Sequence, residues 1–245
     1  MRKIIAYPLT VIYYFNFGLV LGIFRILQVI AYNLFGYKAH KKIVDIMNWL
    51  LVMNLYSLAC RPSFYGLENI PKGKPLIVVG NHQSMYDISP VYVAFKHNHI
   101  KFISKKSLGK GIPGISYNLQ KGGSVLIDRK DNKQSISEIA KLGKYIEENN
   151  YSACIYPEGT RSRDGKLKTF KTGGFKILMK KAPSAAVVPF VVDGNYKLHR
   201  WGSFPLNIGL HLKYKVLPPV ARKGRTDEEI LAEMEQKIKE ALGQG

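Results

Sequence analysis

Acidic residues are scarce in this chain: 17 Asp and Glu stand against 37 Lys and Arg in 245 residues, a net charge of +20. The scarcity is also local. From Met1 to Tyr65 the only acid is Asp45, and from Lys166 to Arg225 the only one is Asp193, set among thirteen Lys and Arg. The acids collect instead in Asp227 to Glu240. A basic body of this kind favours anionic partners, whether anionic lipid, phosphate substrates, an acidic carrier protein or nucleic acid, although a merely solvated basic surface would read the same way. Cysteine is nearly absent. Cys60 and Cys154 form neither a disulfide framework nor a metal-ligand spacing, and the chain suits a reducing compartment. Cys154 lies in the apolar run Ser152 to Tyr156 and reads as a small core residue; no base nearby in sequence would activate it as an acyl-thioester nucleophile. Repeats and low-complexity linkers are also missing. What remains is a globular composition, long enough for one sizeable core or for one core and an appendage.

The longest feature present is apolar. Ile4 to Phe24 run 21 positions without a charge, enough to cross a hydrocarbon layer of ~30 Å. The run is too long for a signal-peptide core, and no small-x-small cleavage site comes after it. It carries Pro8, Asn16 and the tyrosines Tyr7, Tyr13 and Tyr14, a mixture suited to a membrane interface more than to a single span. Apolar character resumes over Ile26 to Phe35, and a second helical pattern covers Ile43 to Ala59. Basic residues flank both ends, Arg2 and Lys3 before and Arg25 through Lys42 after, which predicts that both ends face the cytoplasm. The reading is a two-helix hairpin over residues 1–60 that dips into one leaflet at the cytoplasmic face of the inner membrane. A single-pass helix and an ordinary buried helix pair are the alternatives.

From Arg61 the texture changes. Leu76 to Gly80 is an uninterrupted apolar run with β-branched residues, preceded by the turn Pro71-Lys72-Gly73-Lys74-Pro75, and reads as a buried strand. Further strands are expected at 100–103, 124–127, 152–156, 186–192 and near 208–216, with helices at about 87–96, 135–149 and 174–181. A last helix should open at the capping box Thr226-Asp227-Glu228-Glu229. Alternation of this kind predicts an α/β domain over 61–245, a mixed, largely parallel sheet flanked by helices, behind the N-terminal membrane-associated two-helix motif.

Ligands of open α/β sheets bind beyond the carboxyl ends of the strands, so the residues just past each strand carry the most information about function. After 76–80 comes Asn81-His82-Gln83-Ser84-Met85-Tyr86-Asp87. Five positions along one helix is a rotation of about 500°, so His82 and Asp87 would not share a helical face. They can pair only if His82 sits in the loop and Asp87 in the first turn of the helix, reaching back to one ring nitrogen and leaving the other free to take a proton. The plainer reading is that Ser84-x-x-Asp87 is a capping box and His82 a satisfied loop histidine. After 124–127 comes Asp128-Arg129, and after 152–156 comes Pro157-Glu158-Gly159-Thr160-Arg161-Ser162. Gly159 permits a tight turn with backbone amides free. Arg161 offers a planar fork for phosphate. Glu158 can accept from a hydroxyl or hold Arg129 or Arg161 in place. A turn closed by a surface ion pair would use the same residues.

Four ordered segments, Asn81-His82-x-Ser84-x-x-Asp87, Ile127-Asp128-Arg129, Pro157 to Ser162 and Val187-Val188-Pro189, resemble the motifs of the glycerolipid acyltransferases over about residues 61–220. In length and pattern the chain is most similar to the bacterial members that acylate lysophosphatidate. Leu126, Tyr156 and Phe190 depart from the residues usual beside those motifs, which touches packing or acyl fit more than chemistry. The resemblance implies that His82 and Asp87 are the catalytic pair. His82 takes the proton from the 2-hydroxyl of lysophosphatidate, and Asp87 fixes its tautomer. Lys105, Arg129, Glu158, Gly159, Thr160 and Arg161 form the substrate site. The acyl donor is a thioester of acyl carrier protein or coenzyme A, the product is phosphatidic acid, and neither metal nor other cofactor is called for. Anionic phospholipid is an expected membrane partner. An acceptor such as glycerol 3-phosphate is the nearest alternative. A basic membrane- or nucleic-acid-binding module would need neither His82 nor Glu158, and no nucleic-acid motif is present. A hydrolase would need the Gly-x-Ser-x-Gly elbow, and the nearest segment, Gly114-Ile115-Ser116-Tyr117-Asn118, lacks the second glycine.

Overall fold

The computed structural model describes residues 1–245. Helix α1 (Arg2–Met53) is two helices joined at Gly36, whose backbone (φ 73°, ψ −168°) leaves the helical region. The chain reverses there. Gln28 Nε2 lies 3.3 Å from Met47 Sδ, Asn54 Nδ2 donates to Tyr13 O at 2.9 Å, and Leu21 and Phe24 pack on Met47 and Leu51. These contacts pair early residues with late ones, so the two halves form an antiparallel hairpin.

The first half of the hairpin is inside-out for a water-soluble helix. Its inward stripe, at the three- and four-residue spacing of a helical face, is Ala6, Thr10, Tyr13, Leu21, Phe24, Gln28 and Ala31. Its exposed stripe is Ile12, Phe15, Leu19, Ile23, Ile26, Ile30 and Leu34. The polar Thr10 and Gln28 are buried, while an unbroken row of Ile, Leu and Phe faces outward.

Seven strands come next: β1 (Arg61–Tyr65), β2 (Leu76–Gly80), β3 (Ile100–Lys105), β4 (Val125–Ile127), β5 (Ser152–Ile155), β6 (Ala186–Asp193) and β7 (His211–Val216). They form one sheet in the order β1-β7-β6-β2-β5-β3-β4. The five from β6 to β4 are parallel; β7 runs antiparallel to β6, and β1 is parallel to β7. The helices are α2 (Ile88–Ala94), α3 (Ile115–Lys121), α4 (Asn132–Asn149), α5 (Thr172–Lys181) and α6 (Asp227–Ala241). The sheet is thus mixed and mostly parallel. Strand β1 is not foreseen from the sequence: it is five residues at the sheet edge, with Pro62 second, and has no period-two burial pattern.

Alternation along β2 divides the core. Ile77 and Val79 pack with α4, α5 and α6 on one face, while Leu76 and Val78 pack on the other with α2 and with Ala6, Tyr13, Val44, Leu55 and Leu58 of the hairpin segment. The hairpin therefore shares a core with the α/β body; a cut at residue 60 divides one apolar cluster. A polar seam adds to this junction. Buried Lys101 of β3 donates to Tyr37 Oη and lies 4.5 Å and 5.1 Å from the ring centroids of Tyr37 and Tyr151, while Lys41 bonds Lys96 O at 2.8 Å and pairs with Asp45. The capping box at Thr226 is closed in both directions, as expected from its sequence.

Candidate active site

The parallel strands end on one side of the sheet, and their outgoing loops converge there. His82 lies in the loop after β2. Asp87 closes a single 3-10 turn, Met85–Asp87, that leads into α2. His82 Nδ1 is 2.8 Å from Asp87 Oδ2, with the carboxylate fully buried and the imidazole 14% exposed. A buried carboxylate must be supplied with donors or it loses its charge. Asp87 Oδ2 accepts from the amides of Gln83 (2.7 Å) and Ser84 (2.8 Å) as well as from His82, and Oδ1 accepts from Asn195 Nδ2 (2.7 Å). An ionised carboxylate only accepts, so Nδ1 carries the hydrogen and Nε2 is left as an acceptor. The capping box of Ser84 and Asp87 is also present. The two readings of this segment are therefore compatible: the cap fixes the carboxylate that orients the histidine. The imidazole stacks on Tyr156, with centroids 4.4 Å apart and planes 18° apart.

The loop after β5 grips His82 by its backbone. Glu158 Oε1 accepts the His82 amide at 2.6 Å, and the Ser162 amide donates to His82 O at 2.7 Å. Glu158 Oε2 accepts the Lys168 amide at 3.1 Å. Burial pushes the Glu158 carboxyl above the usual range, and the amides of His82 and Lys168 pull it back. This differs from the expectation that Glu158 would meet a substrate hydroxyl or hold Arg129 or Arg161. Both its oxygens are spent on backbone, and it lies behind the cleft wall. Gly159 (φ 72°) makes the turn. Its own amide is not free, donating to Tyr156 O at 3.1 Å, whereas the amides of Thr160 and Arg161 have no internal acceptor.

A cleft of about 1540 Å³ opens at these loops and is lined by His82, Lys105, Arg129, Gly159, Thr160 and Arg161. Asp87 and Glu158 stand behind them. Three cations not singled out from the sequence, Arg163, Lys168 and Lys171, line it as well. None of these six Lys and Arg forms an ion pair. The cleft also has an apolar lining that mixes hairpin residues (Tyr13, Phe17, Met47, Leu51, Leu55) with Met85, Ile88, Phe102, Ile112, Ile115 and Leu119. The geometry offers a general base, a concentration of positive charge and an apolar chamber in one continuous space. No cluster of His, Cys, Asp and Glu suited to a metal is present. Cys154 is buried in the core, and its thiol is pushed up by burial. Three partners of the pair are not found from the sequence: Asn195, Tyr214 behind it, and Tyr156 under the imidazole. The strand-end rule applied to β6 would have reached Asn195, two residues beyond Asp193.

Similarity to known proteins runs through both the sequence and the fold. A family model described as Acyltransferase matches residues 61–193, more than half of the chain. The chain is 24% identical over 189 residues to 1-acyl-sn-glycerol-3-phosphate acyltransferase alpha of Mus musculus, covering 77% of this chain and 65% of that protein. It is 31% identical over 176 residues to a chloroplastic 1-acyl-sn-glycerol-3-phosphate acyltransferase of Arabidopsis thaliana, covering 71% and 47%. The chain thus spans less than two thirds of the length of these curated relatives. It also resembles the crystal structure of the 1-acyl-sn-glycerophosphate (LPA) acyltransferase from Thermotoga maritima, with a TM-score of 0.79 and 27% identity over 99% of this chain and 98% of that one.

Proposed function

The chain belongs to the acyltransferase family, and from that premise we propose that it transfers a fatty acyl group from a thioester donor to the 2-hydroxyl of 1-acyl-sn-glycerol 3-phosphate, giving phosphatidic acid. The observation that carries this reading is the His82–Asp87 pair, its outer nitrogen free, in a cleft lined by both unpaired cations and apolar side chains. In the proposed mechanism, Nε2 of His82 removes the hydroxyl proton as the oxygen attacks the thioester carbonyl. The tetrahedral oxyanion collapses, the C–S bond breaks, and the imidazolium returns its proton to the leaving sulfur. The unspent amides of Thr160 and Arg161 are suited to a phosphate oxygen or the oxyanion. Arg129 and Arg161, with Lys105, balance the phosphate, and the apolar wall takes acyl chain. Glu158 acts through the backbone it holds. The donor is acyl carrier protein or coenzyme A in thioester form. No acyl-enzyme is needed, since the base activates the acceptor directly.

The inside-out stripe of α1 supports a seat in one leaflet, at the cytoplasmic face of the inner membrane, where the acceptor and anionic phospholipid reside. The test is an acceptor panel. Purified protein is offered lysophosphatidate, glycerol 3-phosphate and monoacylglycerol, each with acyl-coenzyme A and with acyl carrier protein. Lysophosphatidate should give the highest kcat/KM, and monoacylglycerol should fail mainly through KM. Preference for glycerol 3-phosphate, or equal use of the phosphate-free acceptor, would overturn the assignment.

A further inference from the structure

Asp87 has one partner from a distant part of the chain that no step of the acyl transfer uses. Asn195 lies just beyond β6, 108 positions from Asp87 in sequence, and is fully buried. Its Nδ2 donates to Asp87 Oδ1 at 2.7 Å, and its Oδ1 accepts from Tyr214 Oη at 3.0 Å. Tyr214, on β7, is itself fully buried. The chain of contacts runs from β7 through the end of β6 to the loop after β2, and ends on the imidazole.

The direction of these bonds is fixed by chemistry. A phenol can donate or accept, but an ionised carboxylate only accepts, so Asp87 itself requires the NH₂ end of the Asn195 amide, and Tyr214 donates to the Oδ1 left over. Tyr214 thereby braces the amide with its hydrogens toward the carboxylate. The flipped amide would set two acceptors against each other in a buried site, which is costly. Asp87 Oδ2 already serves His82 and two amides, so Oδ1 is the only handle left to stop the carboxylate turning about its Cβ–Cγ bond. Gln83 braces the same junction, its Oε1 accepting from the amides of Gly194 (3.1 Å) and Tyr196 (3.4 Å). The carboxylate that orients the base is thus held from the sheet as well as from its own helix cap.

We propose that Asn195 is a positioning residue for the acyl transfer, locking the rotation of Asp87 with Tyr214 as its brace, so that Oδ2 stays on His82 Nδ1. This rests on the assignment of His82 as the base. Asn195 touches no substrate and acts wholly through Asp87.

Three variants test it in the full-length protein, with lysophosphatidate and an acyl thioester as substrates. Asn195→Ala should lower kcat by roughly 10- to 100-fold, by analogy with the loss of a group that orients a metal-binding histidine or carboxylate, with KM unchanged. Tyr214→Phe keeps the amide and loses only its brace, so kcat should stay within about threefold, since the carboxylate still disfavours the flipped amide. Asn195→Asp gives the signature that a purely structural role would not. Two buried carboxyls in contact share a proton. While residue 195 holds it, the O–H replaces the amide donor and activity is kept. As pH rises and the proton leaves, donor and activity go together. This variant should therefore show a falling alkaline limb in kcat that the wild type lacks, with its circular dichroism constant across that range.

A folded Asn195→Ala protein with wild-type kcat would overturn the proposal. So would an Asn195→Asp profile parallel to wild type, or one whose alkaline limb tracks loss of fold. If Asn195→Ala does not fold, the nearly isosteric Asn195→Asp decides alone. A wild type inactive with every acceptor would instead sink the functional assignment, whatever these variants do.

Discussion

At the scale of single residues, the His82–Asp87 pair has its hydrogen-bonding capacity used up except at the ring nitrogen that faces the cleft. Asp87 is saturated by donors, and His82 keeps one nitrogen in hand. His82→Ala removes the base, and Asp87→Asn puts an amide against Nδ1 that can impose the wrong tautomer. Each should cut kcat at least about 10²–10⁴-fold with little change in melting temperature, as measured by steady-state kinetics beside a thermal melt. Arg161 is exposed, unpaired and at the cleft mouth. Arg161→Ala should raise KM for lysophosphatidate about tenfold or more, the loss of one charge-assisted phosphate contact, and leave KM for monoacylglycerol unchanged. An equal rise for both would remove its assigned role. The pairing of His82 with Asp87 is legible in the sequence because helix geometry leaves only one way for that spacing to work. Asn195 and Tyr214 are not, because only the order β7-β6-β2 in the sheet brings them to Asp87. The work of Glu158 is hidden too: the residue type suggests an ion pair, but the path of its own loop delivers backbone amides to it.

At the scale of elements, two loops and one hairpin set the site. The loop after β5 holds the loop after β2 through Glu158, which accepts two backbone amides and forms no ion pair. Glu158→Gln offers one acceptor and one NH₂ where two acceptors are needed, so it cannot serve both amides. A lost hydrogen bond to a charged group is worth roughly 1.5–3 kcal/mol, so kcat should fall about 10- to 100-fold, with stability lowered in urea unfolding. A kcat equal to wild type would show that the clamp does not set the base. The hairpin is legible from the uncharged run before Arg25 and the second pattern after Lys42. Its break at Gly36 is not, since that glycine sits in a run that reads as helix on both sides. Burying a large apolar side chain is worth roughly 2 kcal/mol. Replacing Phe15 and Ile26 of the outward stripe together by Glu should therefore weaken partitioning onto anionic vesicles at least about 100-fold in a flotation assay. Unchanged flotation would exclude this face as the one in lipid.

At the scale of the whole molecule, the hairpin and the α/β body share one apolar cluster and meet at a titratable seam. Burial, reinforced by the charge of Lys41, lowers the Lys101 ammonium to about 7, with Asp45 opposing the shift. Between that value and the ordinary lysine value the unfolded chain binds more protons than the native one, so stability contributed by this seam rises with pH above about 7. Urea unfolding in detergent at pH 7 and pH 9 should show a wild-type gain of about 1 kcal/mol per pH unit from this residue. Lys101→Met should abolish that gain and be the more stable protein below pH 7; an unchanged slope would contradict the seam. The α/β alternation, the strand ends and the membrane segment can all be read from the chain. The shared core cannot, because nothing local tells a helix that one stripe meets a sheet while the other meets solvent or lipid. On the proposed reading, His82, the cations and the apolar lining serve one acyl transfer. The direct measurement is phosphatidic acid and free thiol counted in parallel, from lysophosphatidate and an acyl thioester on vesicles, for wild type and for His82→Ala. One phosphatidic acid per thiol from wild type, and neither above background from a folded variant, is the expected result. Thiol released without phosphatidic acid, or turnover that survives the loss of His82, would contradict it.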